Sequence, residues 1–201
     1  MPLKQQSDEE LIKAYFSGDA MSLELLVARY LGVVFRFVRS MVWVREDAED
    51  ITQEVFVKAW KNLGTFNCEK SFKTWLFAIA KNASFDYLRK KKQLPFSKFE
   101  DEQGRNTLHE TLRDTKPSPY EHAESQEFKK TVDVAMAKLS GEERAAVLLR
   151  LQEEFSFAQM AEVFGEPLDT VRSRYRRAII KLRELLGGGS GRDAPKQAPH
   201  A

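Results

Sequence analysis

Residues 156–182 read SFAQMAEVFGEPLDTVRSRYRRAIIKL. Phe157, Met160, Ala161 and Phe164 fall at helical spacing, Gly165 breaks the pattern, and Pro167 suits the start of a second helix because it has no N–H to leave unpaired. Small Ala161 lets the two helices cross closely. Val171, Tyr175, Ile179 and Leu182 supply one buried stripe on the second helix, and Arg172, Arg174, Arg176, Arg177, Lys181 and Arg183 fall on its other faces. Such a helix fits a major groove, where Arg and Lys meet base edges and phosphates. The same cations would also suit the solvated face of an ordinary bundle helix. The turn, the small alanine and the charge asymmetry together favour a helix-turn-helix.

Working outward, helical periodicity persists on both sides. Phe128, Val132, Ala135, Met136 and Leu139 form one helix stopped by Ser140-Gly141, and a second runs over about 142–154 around Ala146, Leu149 and Leu151. The last helix spans 168–186. Towards the N-terminus, residues 95–127 carry Gly104, Pro117 and Pro119, with eight acids against four bases and no sustained period. They read as a flexible, mildly acidic linker. Before it, Ser7 caps a helix with the acidic first turn Asp8-Glu9-Glu10. Further helices are predicted through Leu23, Leu26, Tyr30, Val34, Phe37 and Met41, over about 47–63, and over about 72–92 with Trp75, Leu76, Ile79 and Ala80 facing inward. The expected fold is all-α: two small helical domains, residues 7–94 and 126–186, a linker at 95–125 and an unstructured Gly-rich tail at 187–201.

Composition limits the function classes. The 201 residues hold 32 Lys+Arg and 30 Asp+Glu, a net charge of +2 that by itself argues against nucleic-acid binding. One cysteine, Cys68, excludes an internal disulfide framework and a multi-Cys zinc site. His109, His122 and His200 have no ligand spacing, so neither metal nor cofactor is expected. No run approaches 18 apolar residues and no signal-peptide core is visible, which sets the expectation of a cytoplasmic protein without membrane insertion. No paired-acid or Ser–His pattern supports an enzyme, so no catalytic residue is assigned.

Charge is segregated along the chain. Residues 46–54 hold Glu46, Asp47, Glu49, Asp50 and Glu54 with no base. These acids complement a helix N-terminus or form a docking surface for a basic partner, and both readings stand. Lys58, Trp60, Lys61, Phe66, Lys70, Lys73, Trp75, Phe77, Lys81 and Asn82 interleave rings with cations before Arg89-Lys90-Lys91-Lys92. Single-stranded nucleic acid needs that combination, rings for stacking and cations for phosphates. Trp75 and Phe77 also suit a core, whereas Phe66, beside Asn67 between helices, is less automatically buried.

Two blocks carry a family resemblance. Asp47-Ala48-Glu49-Asp50-Ile51-Thr52-Gln53-Glu54-Val55-Phe56-Val57-Lys58-Ala59-Trp60 resembles region 2.2 of bacterial sigma-70-type factors. Ser71-Phe72-Lys73-Thr74-Trp75-Leu76-Phe77-Ala78-Ile79-Ala80-Lys81-Asn82, with Asp86-Tyr87-Leu88-Arg89, is similar to the next region of the extracytoplasmic-function (ECF) group. Asp169-Thr170-Val171-Arg172-Ser173-Arg174 and Arg176-Arg177-Ala178 resemble the region 4.2 recognition helix. The resemblance covers most of residues 8–186 and implies the two domains termed σ2 and σ4. It implies that Asp47, Asp50, Gln53 and Glu54 dock on the β′ clamp coiled coil of RNA polymerase core, with the β flap a further contact. Lys58, Phe66, Asn67, Asn82, Arg89 and Lys90 would meet the −10 element as single strand, and Thr170, Arg172, Ser173, Arg176, Arg177 and Lys181 the −35 element as duplex. An anti-sigma factor is an expected partner. Glu166 stands in a slot usually apolar in the family, and Asp169 in one usually glycine. A stand-alone helix-turn-helix regulator is the alternative, and it leaves the acidic and aromatic-basic segments without a purpose.

Overall fold

Short polar side chains set where the helices begin. Ser7, Ser140 and Ser156 each accept a hydrogen bond from the N–H three residues on, and Glu10, Glu143 and Gln159 accept one back from the capping residue's own N–H. Each such cap contributes about 1 kcal/mol. Asp19 caps the next helix by accepting from the Met21 N–H at 3.1 Å. Val44 offers no side-chain cap, and Glu46 and Asp47 in the first turn complement the dipole instead.

In the computed structural model, which describes residues 6–93 and 130–187, these signals produce eight α-helices. They are α1 (Asp8–Phe16), α2 (Ala20–Val42), α3 (Arg45–Asn62), α4 (Phe72–Gln93), α5 (130–137), α6 (Gly141–Leu151), α7 (Phe157–Phe164) and α8 (Leu168–Gly187), with a 3-10 turn at Leu63–Thr65. The described residues hold no strand, and the all-α class stands. No helix among them is long and apolar enough to cross a membrane. The expected linker at 95–125 and the tail at 187–201 lie outside the described residues, apart from Gly187. Helix α6 stops at Leu151, short of the expected 154, because the Glu153 N–H turns back to Leu148 O at 3.2 Å and Glu154 takes a left-handed φ of 59°.

In the N-terminal half α2 packs against α1, α3 and α4, and in the C-terminal half α8 packs against α6 and α7. The two helical halves expected from the sequence also meet: α4 lies on α7 and α2 on α6, and one apolar core runs through both. Its spine is aromatic: Phe37 meets Phe77 edge-on with ring centroids 5.4 Å apart, and Phe77 meets Phe155 at 5.1 Å. All three rings are fully buried. Arg144 of α6 is buried at the same seam. Its guanidinium lies over the Trp43 ring and donates to Met41 O (3.0 Å), Met136 O (3.0 Å) and Ala137 O (3.1 Å). Those carbonyls sit at the ends of α2 and α5, where a cation is favoured by both dipoles.

Candidate polymerase and nucleic-acid interfaces

On α3 the residues Ala48, Ile51, Thr52, Val55 and Ala59 face the core, which turns Glu46, Glu49, Asp50, Gln53 and Glu54 to solvent. Asp50, Gln53 and Glu54 therefore form an exposed acidic face. Glu54 pairs with Lys58 one turn on, at 2.6 Å. Asp47 differs from the other three: it is half-buried, accepts a hydrogen bond from the Tyr87 hydroxyl, and pairs with Lys91 at 3.5 Å. It ties α3 to α4 as well as adding negative charge to the face.

Beside this face runs an apolar groove of about 680 Å³ between α2 and α3, with Val27, Leu31, Phe35 and Phe56 among its lining. Leu31 is 48% exposed and Trp60, at the rim, 59%. Trp60 is steadied by donating its indole N–H to the Tyr15 hydroxyl at 2.8 Å. Sequence reasoning missed the groove. Its signal is a second stripe on α2, Val27, Leu31 and Phe35 at steps of four, branching at Leu23 from the stripe that faces the core.

The segment expected to meet single-stranded DNA is assembled on α4 and the loop before it. The Phe66 ring is half-buried, packed on Trp75 (5.1 Å) and edge-on to Phe72 (5.6 Å). Trp75 is itself only half-buried, so it is a platform under Phe66 as well as a core residue. Asn82 is exposed two turns further along the same face of α4. Asn67 is exposed and accepts from the Glu69 N–H at 2.9 Å, which holds the loop in a turn. Arg89, paired with Asp86 at 2.8 Å, and Lys90 are exposed on the same helix, while Lys58 lies on α3. Lys73 and Lys81 occupy a different face of α4. Lys81 is buried, and its burial pushes the ammonium pKa down.

On α8 the buried residues are Val171, Arg174, Ala178 and Leu182. Thr170, Arg172, Ser173, Arg176 and Arg177 are exposed, and Lys181 is half-exposed and pairs with Glu143 at 3.4 Å. Tyr175, expected in the core, is half-buried with its ring 5.5 Å from that of Phe157. Arg174 departs from the expectation of a solvent-facing cation. Its side chain is only 9% exposed, ion-paired to Glu166 (2.7 Å) and Glu142 (3.0 Å) and stacked over the Phe164 ring. The charge at Glu166 thus has a physical partner: it anchors the recognition helix through Arg174. Asp169 is exposed and lies 3.5 Å from Arg172, where it holds back one of the exposed cations. Among the described residues no cluster of three or more His, Cys, Asp or Glu could hold a metal ion.

This arrangement has known counterparts. Residues 26–93 match the model for Sigma-70 region 2, and residues 129–182 that for Sigma-70, region 4. The chain is 33% identical over 191 residues to the RNA polymerase sigma-H factor of Pseudomonas aeruginosa, covering 92% of this chain and 96% of that protein. It is 31% identical to the ECF RNA polymerase sigma-E factor of Haemophilus influenzae, covering 91% and 95%. Among solved structures, CnrH in complex with the cytosolic domain of CnrY matches with a TM-score of 0.67 and 25% identity over 92% of this chain and all of that one. RpoE from Bartonella quintana in complex with the anti-sigma factor NepR matches with a TM-score of 0.61 and 26% identity, over 82% and 96%. The chain belongs to the ECF group of the sigma-70 family, whose members are non-catalytic transcription initiation factors.

Proposed function

We propose that this sigma factor binds RNA polymerase core in the cytoplasm, reads the −35 and −10 promoter elements, and helps open the start site. Residues 7–94 and 126–186 act as the σ2-type and σ4-type domains, with 95–125 as the connecting linker and 187–201 as a tail. The acidic face of α3, with Asp47, Asp50, Gln53 and Glu54, docks on the β′ clamp coiled coil, and the C-terminal half also meets the β flap. Lys58, Phe66, Asn67, Asn82, Arg89 and Lys90 take the −10 element as single strand. A base lifted from the duplex and stacked near Phe66 offsets part of the few kcal/mol that unstacking costs, so binding drives melting. Thr170, Arg172, Ser173, Arg176, Arg177 and Lys181 meet the −35 duplex, and Arg174 holds their helix. An anti-sigma factor is the expected regulator, as the complex of RpoE with NepR illustrates for that protein.

The observation that carries this reading is the separation of charge on the folded surface. An exposed acidic face on α3 stands apart from the exposed cations of α8, and the half-buried Phe66 lies on the aromatic platform of α4. Run-off transcription with purified core polymerase tests it: the added protein should produce promoter-dependent transcripts. Absence of promoter-dependent initiation at every candidate promoter would defeat the reading.

A further inference from the structure

We propose that Asp169 reads a base: its carboxylate accepts a hydrogen bond from the amino group of a cytosine at one end of the −35 element, and so selects a C·G pair there. This rests on the function proposed above and adds to the residues assigned to the −35 duplex, none of which is an acid.

The first observation is direction. The buried residues of α8 are Val171, Arg174, Ala178 and Leu182. At about 100° per residue, Asp169, Ser173, Arg176 and Ile180 fall in one sector roughly 60° wide on the opposite side of the helix. All four are exposed. Arg172 and Arg177 flank this line, one on each side. Asp169 therefore points to the floor of the groove that α8 enters, whereas the flanking arginines point to its phosphate walls. It is also the second residue of α8, and recognition helices meet base edges with their N-terminal residues. That end of the helix is held in place, because Arg174 is gripped by Glu166 at 2.7 Å and Glu142 at 3.0 Å.

The second observation is charge. Asp169 is the only acid among residues 168–183. Its side chain is 91% exposed, and among the described residues its partner is Arg172, at a loose 3.5 Å. A solvated pair of this kind leaves the carboxylate free to change partners. An ionised carboxylate only accepts hydrogen bonds. In the major groove it finds donors on cytosine N4 and adenine N6, but adenine sets its N7 acceptor beside that donor, and guanine and thymine present acceptors alone. Cytosine is the match. Wherever the carboxylate finds no donor, it faces acceptors and phosphates and weakens binding, so Asp169 opposes wrong sequences as well as favouring the right one. Arg172, released from the pair, is then free for a phosphate on its flank.

The test is selection with the full chain bound to core polymerase, on duplexes randomised across the −35 and −10 regions, with the retained DNA sequenced. The parent is expected to show one position, at an end of the −35 element, where cytosine exceeds each other base by about fivefold or more. Asp169→Ala should erase that preference, leave the other positions as they were, and hold unselected duplexes more tightly, since the charge that opposed phosphates is gone. Asp169→Asn should move the preference to adenine, whose N6 and N7 an amide meets in a bidentate pair. A role confined to the helix start would instead lower the melting midpoint of Asp169→Ala with every base preference intact, and that result would overturn the proposal. So would a C·G preference that persists in Asp169→Ala and vanishes in Arg172→Ala, because the pair would then be read through its guanine. Should no form select DNA together with core, the functional reading fails. The same duplexes panned with the chain alone then decide the position, and a flat profile in parent and variants overturns the role of Asp169.

Discussion

Arg174→Ala separates two roles that sequence reasoning had merged. The guanidinium is 9% exposed, paired with Glu166 at 2.7 Å and Glu142 at 3.0 Å, and stacked 4.8 Å over Phe164. Breaking a fully buried pair costs about 3–5 kcal/mol because a charge is left unpaired. Here Glu142 is more than half exposed and Glu166 about a third, so both carboxylates can rehydrate and the cost falls to about 2 kcal/mol. For a chain of this size that lowers the melting midpoint by about 4–8 °C. If Arg174 makes no phosphate contact, the slope of log K against log salt for a −35 duplex stays at its parent value. Arg176→Ala, at an exposed position, should do the reverse: little change in stability, a loss of about 1–3 kcal/mol if it reads a base edge, or a slope smaller by about 0.9 if it meets a phosphate. The double variant Arg174→Met, Glu166→Leu should recover most of the lost stability, since apolar residues of similar volume replace such pairs well. Unchanged thermal stability in Arg174→Ala together with a reduced salt slope would refute the anchoring role.

Three further outcomes are expected. Phe66→Ala and Asn82→Ala should spare binding to core polymerase but lower the yield of open complex, read by reactivity of unpaired thymines to permanganate; an unchanged yield in both would remove the −10 assignment. Leu31→Glu should weaken core binding at least tenfold, about 1.4 kcal/mol, if the groove beside the acidic face is part of the docking surface. Because Leu31 is half-exposed already, its thermal stability should stay near that of the parent, and equal core affinity would exclude the groove. Glu153 tests the seam through pH. Burial pushes its carboxyl above the ordinary carboxylate value, against the pull of Lys73 and Arg36. A raised carboxyl costs stability once it must ionise in the fold, so that cost is absent in acid and grows as pH rises through the folded pKa. Glu153→Gln should therefore raise the melting midpoint at pH 7.5 and lose that advantage at pH 4; an equal effect at both would argue for packing rather than charge.

Most of the helices were legible because their signals are local. The Ser-x-x-Glu and Ser-x-x-Gln boxes at 7, 140 and 156, the break at Gly165 and the 3.6-residue stripe of α8 depend on neighbours within one turn. The errors share a cause. Arg174 was read as a surface cation because helical periodicity says which way a residue points, and not that two acids, Glu142 before α7 and Glu166 after it, converge on that spot. Trp75 was read as core, yet its ring is shared between the interior and Phe66. Asp47 was grouped with its acidic neighbours, although Tyr87, forty residues on, engages it.

The sequence was thus sufficient for an all-α chain with a helix-turn-helix, an acidic helix and an aromatic-basic helix, since side-chain periodicity, caps and charge order are written into consecutive residues. It also resolved the near-neutral total of 32 bases and 30 acids into segregated acidic and basic segments. That α4 lies on α7, that Phe37, Phe77 and Phe155 join two cores, and that Lys73 and Lys81 are occupied while Asn82 stays open all required the fold. These are contacts between residues roughly 40 to 80 positions apart, and no local pattern encodes which buried stripe will meet which.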